Sequence, residues 1–125
     1  LAFNPLSAQA HITHPFPLER AWVWDDEEAP DAERLVACRD GWISIGSEGC
    51  GMDWVLIVSG AQRGKVWALE DQGAQPCAPG LDFLAWYAAW CRWMAAGGPR
   101  SKTAWWDVVW ADLAPGHGRP GSHAS

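Results

Sequence analysis

An antiparallel sheet with helices beside it is the architecture this sequence predicts, and three stretches predict it. Met52 to Ser59 is largely apolar on both alternating sets, Met52, Trp54, Leu56 and Val58 against Asp53, Val55, Ile57 and Ser59. A strand covered on both faces needs that pattern. Short glycine turns separate it from Trp42, Ile43 and Ile45 before it and from Lys65 to Leu69 after it, which reads as a meander. Leu81 to Ala95 then repeats Phe83, Trp86, Tyr87, Trp90, Trp93 and Met94 at three- and four-residue intervals, the broad apolar stripe of a helix.

The remaining elements follow in chain order. Leu1 to Pro17 has no sustained period and two proline-terminated bends, so it is an irregular connection. Ala21 to Trp24 is a brief strand, with Trp22 and Trp24 on one face and Val23 on the other. Asp25 to Pro30 is too charged for a core. Asp31 to Cys38 is a short helix capped by Asp31, with Ala32, Leu35 and Val36 expected to face inward. Gly46 to Gly51 is expected to be a glycine-rich turn, Ser59 to Gly64 the next one, and Asp71 to Gly80 a loop. Gly97-Gly98-Pro99 stops the aromatic helix. A last helix is expected over Ser101 to Leu113, with Ser101 as cap and Trp106, Val109, Trp110 and Leu113 on one face. Residues 1–113 are thus read as one domain and 114–125, rich in Gly, Pro, His and Ser, as a disordered tail. The opening LAFNPLSAQAHITHPFPL reads as the middle of a loop, so an N-terminal part is expected to be missing.

A chain of 125 residues and 13.7 kDa is long enough to bury a core. No apolar run reaches the length of a membrane span and no signal core opens the chain, so a cytosolic protein is expected. Cys38, Cys50, Cys77 and Cys91 are far apart without CxxC spacing, which argues against a zinc knuckle and for buried structural thiols. The net charge of −6 is uneven: residues 1–62 hold ten Asp/Glu against three Lys/Arg, residues 63–125 five against six. Such an acidic half repels phosphate backbones and attracts basic proteins. Eleven tryptophans imply either a heavy core or exposed aromatic platforms. Trp54, Trp86, Trp90 and Trp93 have core spacing, whereas Trp22, Trp24, Trp67 and Trp105 are expected to be partly exposed.

No motif carries catalytic chemistry. The GSEGCG turn lacks the Lys-Ser/Thr of a P-loop, and Glu48 at its tip would repel phosphate. His11 and His14 could share a metal only on a helix, which Pro15 and Pro17 disfavour, and a third ligand is lacking nearby. There is no GxSxG, Cys50 has no identifiable histidine base, and the paired acids Asp25 and Asp26 lie in a solvated run. Neither cofactor nor metal is expected.

Four segments occur in a telling order: Pro15-Phe16-Pro17-Leu18 with Trp22 and Trp24; Gly41 to Gly60; Gly64 to Trp67; and Phe83 to Arg92. Over residues 14–94 this resembles the SUKH superfamily of bacterial immunity proteins and fungal cell-wall-synthesis regulators. The family's opening helices have no counterpart here, and Ser101 to Leu113 extends beyond its usual end. The resemblance implies an α+β domain, a central, mostly antiparallel sheet with helices packed against it. It also implies a non-enzymatic immunity protein that binds and sterically blocks a toxin domain of a polymorphic toxin system, often a nuclease or deaminase. Because the family varies its binding surface, no contact residues follow from the resemblance.

The charge distribution fits such a partner, since nuclease toxins are commonly basic. The expected contact segment is Asp25, Asp26, Glu27, Glu28, Asp31 and Glu33, with Trp24 as a possible anchor. Direct nucleic-acid and membrane binding are not expected. Two rivals remain: a regulatory or scaffold interaction domain with no toxin, and a tryptophan-lined ligand or carbohydrate module. The helical spacing of Trp86, Trp90 and Trp93 argues against the flat aromatic row that the second requires.

Overall fold

The glycine turns around the Met52 strand do join neighbouring antiparallel strands. The computed structural model describes residues 11–25, 30–49, 51–77 and 81–109, and the chain divides into two compact units, Leu1–Pro76 and Cys77–Ser125. In the first unit β1 (Trp22–Val23), β2 (Trp42–Gly49), β3 (Met52–Ile57), β4 (Val66–Glu70) and β5 (Gly73–Pro76) form one sheet in the order β1-β5-β4-β3-β2, every pair antiparallel. The helix α1 (Ala32–Ala37) lies between β1 and β2 in the chain, and α2 (Phe83–Ala95) is the main helix of the second unit. The architecture is α+β.

Register explains the core. Trp42 pairs with Ile57, Val55 with Trp67, Leu69 with Ala74, and Ala74 in turn with Trp22. Directly paired residues share a face, so these side chains form one continuous apolar layer. Phe16, Leu18 and Cys38 complete it, and Leu35 of α1 packs on it. Phe16 meets Trp67 edge-on, ring centroids 5.1 Å apart. The other face carries Trp54, paired with Ala68, both also buried, so β3 is covered on both sides as its composition requires. Trp42, Trp54 and Trp67 each bury an area of about 150–250 Å² while their indole N–H groups stay satisfied. They donate to Cys38 O at 2.8 Å, Glu48 Oε1 at 2.9 Å and Gln62 Oε1 at 3.3 Å.

The Pro15–Leu18 segment is held by backbone. Gly41, at φ 83°, donates to His11 O at 2.8 Å and accepts from Val58 N at 2.8 Å, while Phe16 N donates to Ser59 O at 2.8 Å. A side chain at position 41 would collide with the backbone nitrogen of Phe16. Only glycine combines that conformation with that approach.

Several expectations need correction. Asp71 to Gly80 is not wholly loop, because Gly73–Pro76 is β5 and pairs with both β1 and β4. Gly46 to Gly49 belongs to β2, whose pairing with β3 shifts register between Ser44 and Gly46 and again between Ser47 and Gly49, so those four residues are strand and not turn. Ala32 and Val36 of α1 face solvent, Val36 at 58% exposure, so of the three residues expected to face inward only Leu35 does, with Cys38 buried after the helix. Trp67 and Trp105 are buried, against the expectation of partial exposure. The thiols of Cys38 and Cys77 are buried and free, but Cys91 is exposed; Cys50 lies outside the described residues.

In the second unit Asp82 caps α2, accepting from Ala85 N at 2.9 Å. Gly97, at φ 123°, ends it, and Gly98–Arg100 form a 3-10 turn. The helix expected from Ser101 starts later, as α3 at Trp105–Asp107. Ser101 is extended and its hydroxyl turns back to Gly98 O and Thr103 O, so it closes the turn and cannot cap a helix. Trp105 packs edge-on against Trp86 and beside Trp93, centroids 5.7 and 5.6 Å away. The stretch expected to continue as helix from 110 to 113, and the tail from 114, lie outside the described residues.

Candidate interaction surface

The strand β1 is an edge, and its sequence makes it an aromatic one. Trp22 and Trp24 lie two residues apart and their rings pack together, centroids 4.8 Å apart at 56°. Both are half-buried against the core layer of the first unit. Arg34 of α1 covers the outer ring, its guanidinium carbon 4.5 Å from the Trp22 centroid, a cation–π contact between helix and strand. Val23 points the other way and is 56% exposed. The backbone N–H of Trp24 donates to Gln72 O at 3.0 Å, which ties the end of β1 to the β4–β5 turn.

That tie gathers acidic residues. In an antiparallel sheet alternate turns fall at the same end. The ends of β1, β2 and β4 and the starts of β3 and β5 all lie there, bringing Asp25, Glu48, Asp53, Glu70 and Asp71 to one end of the sheet. The two turns are close neighbours: a side chain at Gly51 would come within 2.6 Å of the Asp71 carboxylate. Burial, and next the charge of Asp71, hold the Glu70 carboxyl above its ordinary range. Gln75 Nε2 reaches Glu70 Oε1 at 3.5 Å. Arg20, Arg39, Arg63 and Lys65 lie at or near the opposite end.

The expected contact residues fall into three groups. Trp24 and Asp25 stand at the acidic end, Asp25 exposed and Trp24 only partly so. Asp26, Glu27 and Glu28 lie outside the described residues. Asp31 and Glu33 open α1, where Asp31 Oδ1 accepts from Glu33 N at 3.0 Å and Arg34 N at 3.4 Å, so its carboxylate has a structural task. Reading the sequence did not single out Asp53, Glu70, Asp71 or Arg34 as surface residues. The acidic end becomes visible only once strand directions are written out, and the unrecognised β5 concealed Asp71.

Other chemistry-bearing groups are scattered. His11 and His14 have ring centroids 4.5 Å apart, and His14 Nδ1 lies 3.8 Å from Asp40 Oδ2. Among the described residues no group of three His, Cys, Asp or Glu could hold a metal ion. Burial pushes the Cys38 thiol up to about 11, with the Arg34 charge pulling the other way. Burial alone pushes Cys77 up as well. Thiols so placed are not thiolates near neutral pH. The second unit holds a cavity of about 360 Å³ beside α2, lined in part by Arg92, Trp93, Ser101, Thr103 and Val108. Among the described residues no helix is long and apolar enough to cross a membrane.

No family model, curated protein or solved structure matches this chain.

Proposed function

We propose that this chain is a protein-binding module of SUKH type, an immunity protein that captures a basic, nuclease-like toxin domain and blocks it by occlusion. The observation that carries the reading is the convergence of Asp25, Glu48, Asp53, Glu70 and Asp71 at the sheet end beside the Trp22–Trp24 pair. A field of one sign over neighbouring turns steers a basic partner, and a partly exposed aromatic next to it supplies an anchor. Asp26, Glu27 and Glu28, which follow Asp25 directly in the chain, carry charge of the same sign. The antiparallel α+β architecture accords with the SUKH resemblance. The mechanism is steric: the module covers the partner's active surface and performs no chemistry of its own.

The test is capture from a lysate of the native organism at low and high salt, with the wild-type chain beside Asp25→Lys/Asp71→Lys. A single basic protein retained at low salt, released by high salt and lost by the double variant is the expected result. Equal retention by the variant removes the acidic end from the interface. Capture of no basic protein under either condition overturns the immunity reading.

A further inference from the structure

The cavity in the second unit owes its space to small side chains on one ridge of α2. Ala89, Arg92 and Trp93 of the helix and Ala96 at its C-cap follow at three- and four-residue steps, so they share a face, and all four line the cavity. Alanine at both ends of the ridge leaves room that a longer side chain would fill. Ser101, Thr103 and Val108, from the chain that returns after the 3-10 turn, line it too. This second wall is fixed to the first. Trp93 Nε1 donates to Thr103 O at 2.7 Å, and the Ser101 hydroxyl lies 2.8 and 2.9 Å from the Gly98 and Thr103 carbonyl oxygens. The Trp93 ring itself rests beside Trp105. Walls already ordered lose little entropy when a ligand enters.

We infer that this cavity is a binding site for a small aromatic monocarboxylate. Size is the first argument. Protein interiors hold few voids larger than a water molecule, yet this one measures about 360 Å³, within the range of small-molecule sites. An apolar cavity of ~150 Å³ holds one benzene, so on that scale it takes about fourteen non-hydrogen atoms. Lining is the second. Trp93, Ala89, Ala96 and Val108 suit a flat apolar body, and the Thr103 hydroxyl adds a hydrogen-bond donor. Charge is the third. Arg92 has no ion pair among the described residues, Asp107 beside Val108 included. From Phe83 to Trp106 the chain has Arg92, Arg100 and Lys102 but neither Asp nor Glu, in a molecule whose net charge is −6. A guanidinium presents a planar fork that matches the two oxygens of a carboxylate. An arginine in the last turn of a helix also suits the helix dipole, but that role needs no cavity beside it. The carbonyls at the same helix end disfavour a second negative charge, which selects a monoanion over a phosphate.

Titration calorimetry on the whole chain tests this, with indole-3-acetate as probe and indole-3-acetamide as its uncharged counterpart. The acid is expected to bind with a Kd of about 1 mM or below, the ordinary yield of a ligand that size. The amide should bind about tenfold more weakly. Arg92→Gln should weaken the acid about tenfold and leave the amide nearly unchanged, which abolishes the preference. Ala96→Leu should weaken both by filling the space, with circular dichroism to check folding. Arg63→Gln, at an exposed arginine outside the cavity, should bind as the wild type does. No binding of the acid at about 10 mM overturns the inference. Equal affinity of the wild-type chain for acid and amide overturns it too, and that comparison stands whether or not a variant folds. Binding that neither Arg92→Gln nor Ala96→Leu changes places the ligand elsewhere and has the same consequence.

Discussion

Residue scale is where burial and polarity compete most visibly. Trp42, Trp54 and Trp67 occupy the interior because each indole N–H finds an acceptor there, which offsets the cost of burying a polar atom. For Trp54 the two-sided strand pattern foretold burial. For Trp67 it did not, because the acceptor Gln62 lies in the turn before β4 and no local period announces it. Glu70 poses the reverse problem, a carboxylate half-buried beside Asp71 with its proton affinity raised. The folded state therefore binds its proton more readily than the unfolded chain, and stability falls as pH rises through the shifted range. Glu70→Gln removes a charge that is costly at neutral pH and should stabilise the protein there. The gain is expected to stay below about 1 kcal/mol, because the group is partly solvated and screened. It should vanish at a pH below the ordinary carboxylate range, where Glu70 is protonated in both states. Urea midpoints of the two proteins at several pH values check this, and a pH-independent difference would point to packing.

At the scale of elements, legibility followed periodicity. The two-sided pattern of β3 and the aromatic stripe of α2 are strong signals, and both elements formed where expected. The strand β5 was hidden because Gly73 and Pro76 are residues that strands disfavour; its neighbours on both sides make it a strand. The helix expected from Ser101 failed for a local reason, the serine hydroxyl being turned back on the 3-10 turn. The helix α1, in contrast, has only six residues and depends on its cap. Asp31→Ala should therefore lower stability by about 1 kcal/mol, read from the denaturant midpoint. Asp31→Ser, which keeps an acceptor but drops the charge, should restore most of it. The pair also separates a structural Asp31 from a contact one: if Asp31→Ser folds as well as wild type yet loses capture of the basic protein, the carboxylate is part of the interface.

Across the whole molecule the informative quantity is where the charge lies. The sequence shows an acidic first half, but the convergence of acids on one sheet end arises from strand order, which no local pattern contains. A net charge of −6 would attract a polycation from any side; a polarised sheet should attract it at one end. Two single substitutions distinguish these cases, because each shifts the net charge equally. Asp71→Lys acts in the β4–β5 turn at the acidic end, and Glu19→Lys acts ahead of β1 towards the other end, both at exposed positions. With immobilised polylysine as probe, Asp71→Lys should slow association by about threefold or more at low salt, and Glu19→Lys should leave it near the wild-type rate. Both differences should disappear near 1 M salt, where the screening length is about 3 Å. Equal slowing by the two variants would mean that net charge alone governs the encounter. In that case the acidic end has no directional role, and the tryptophan pair would have to carry recognition by contact.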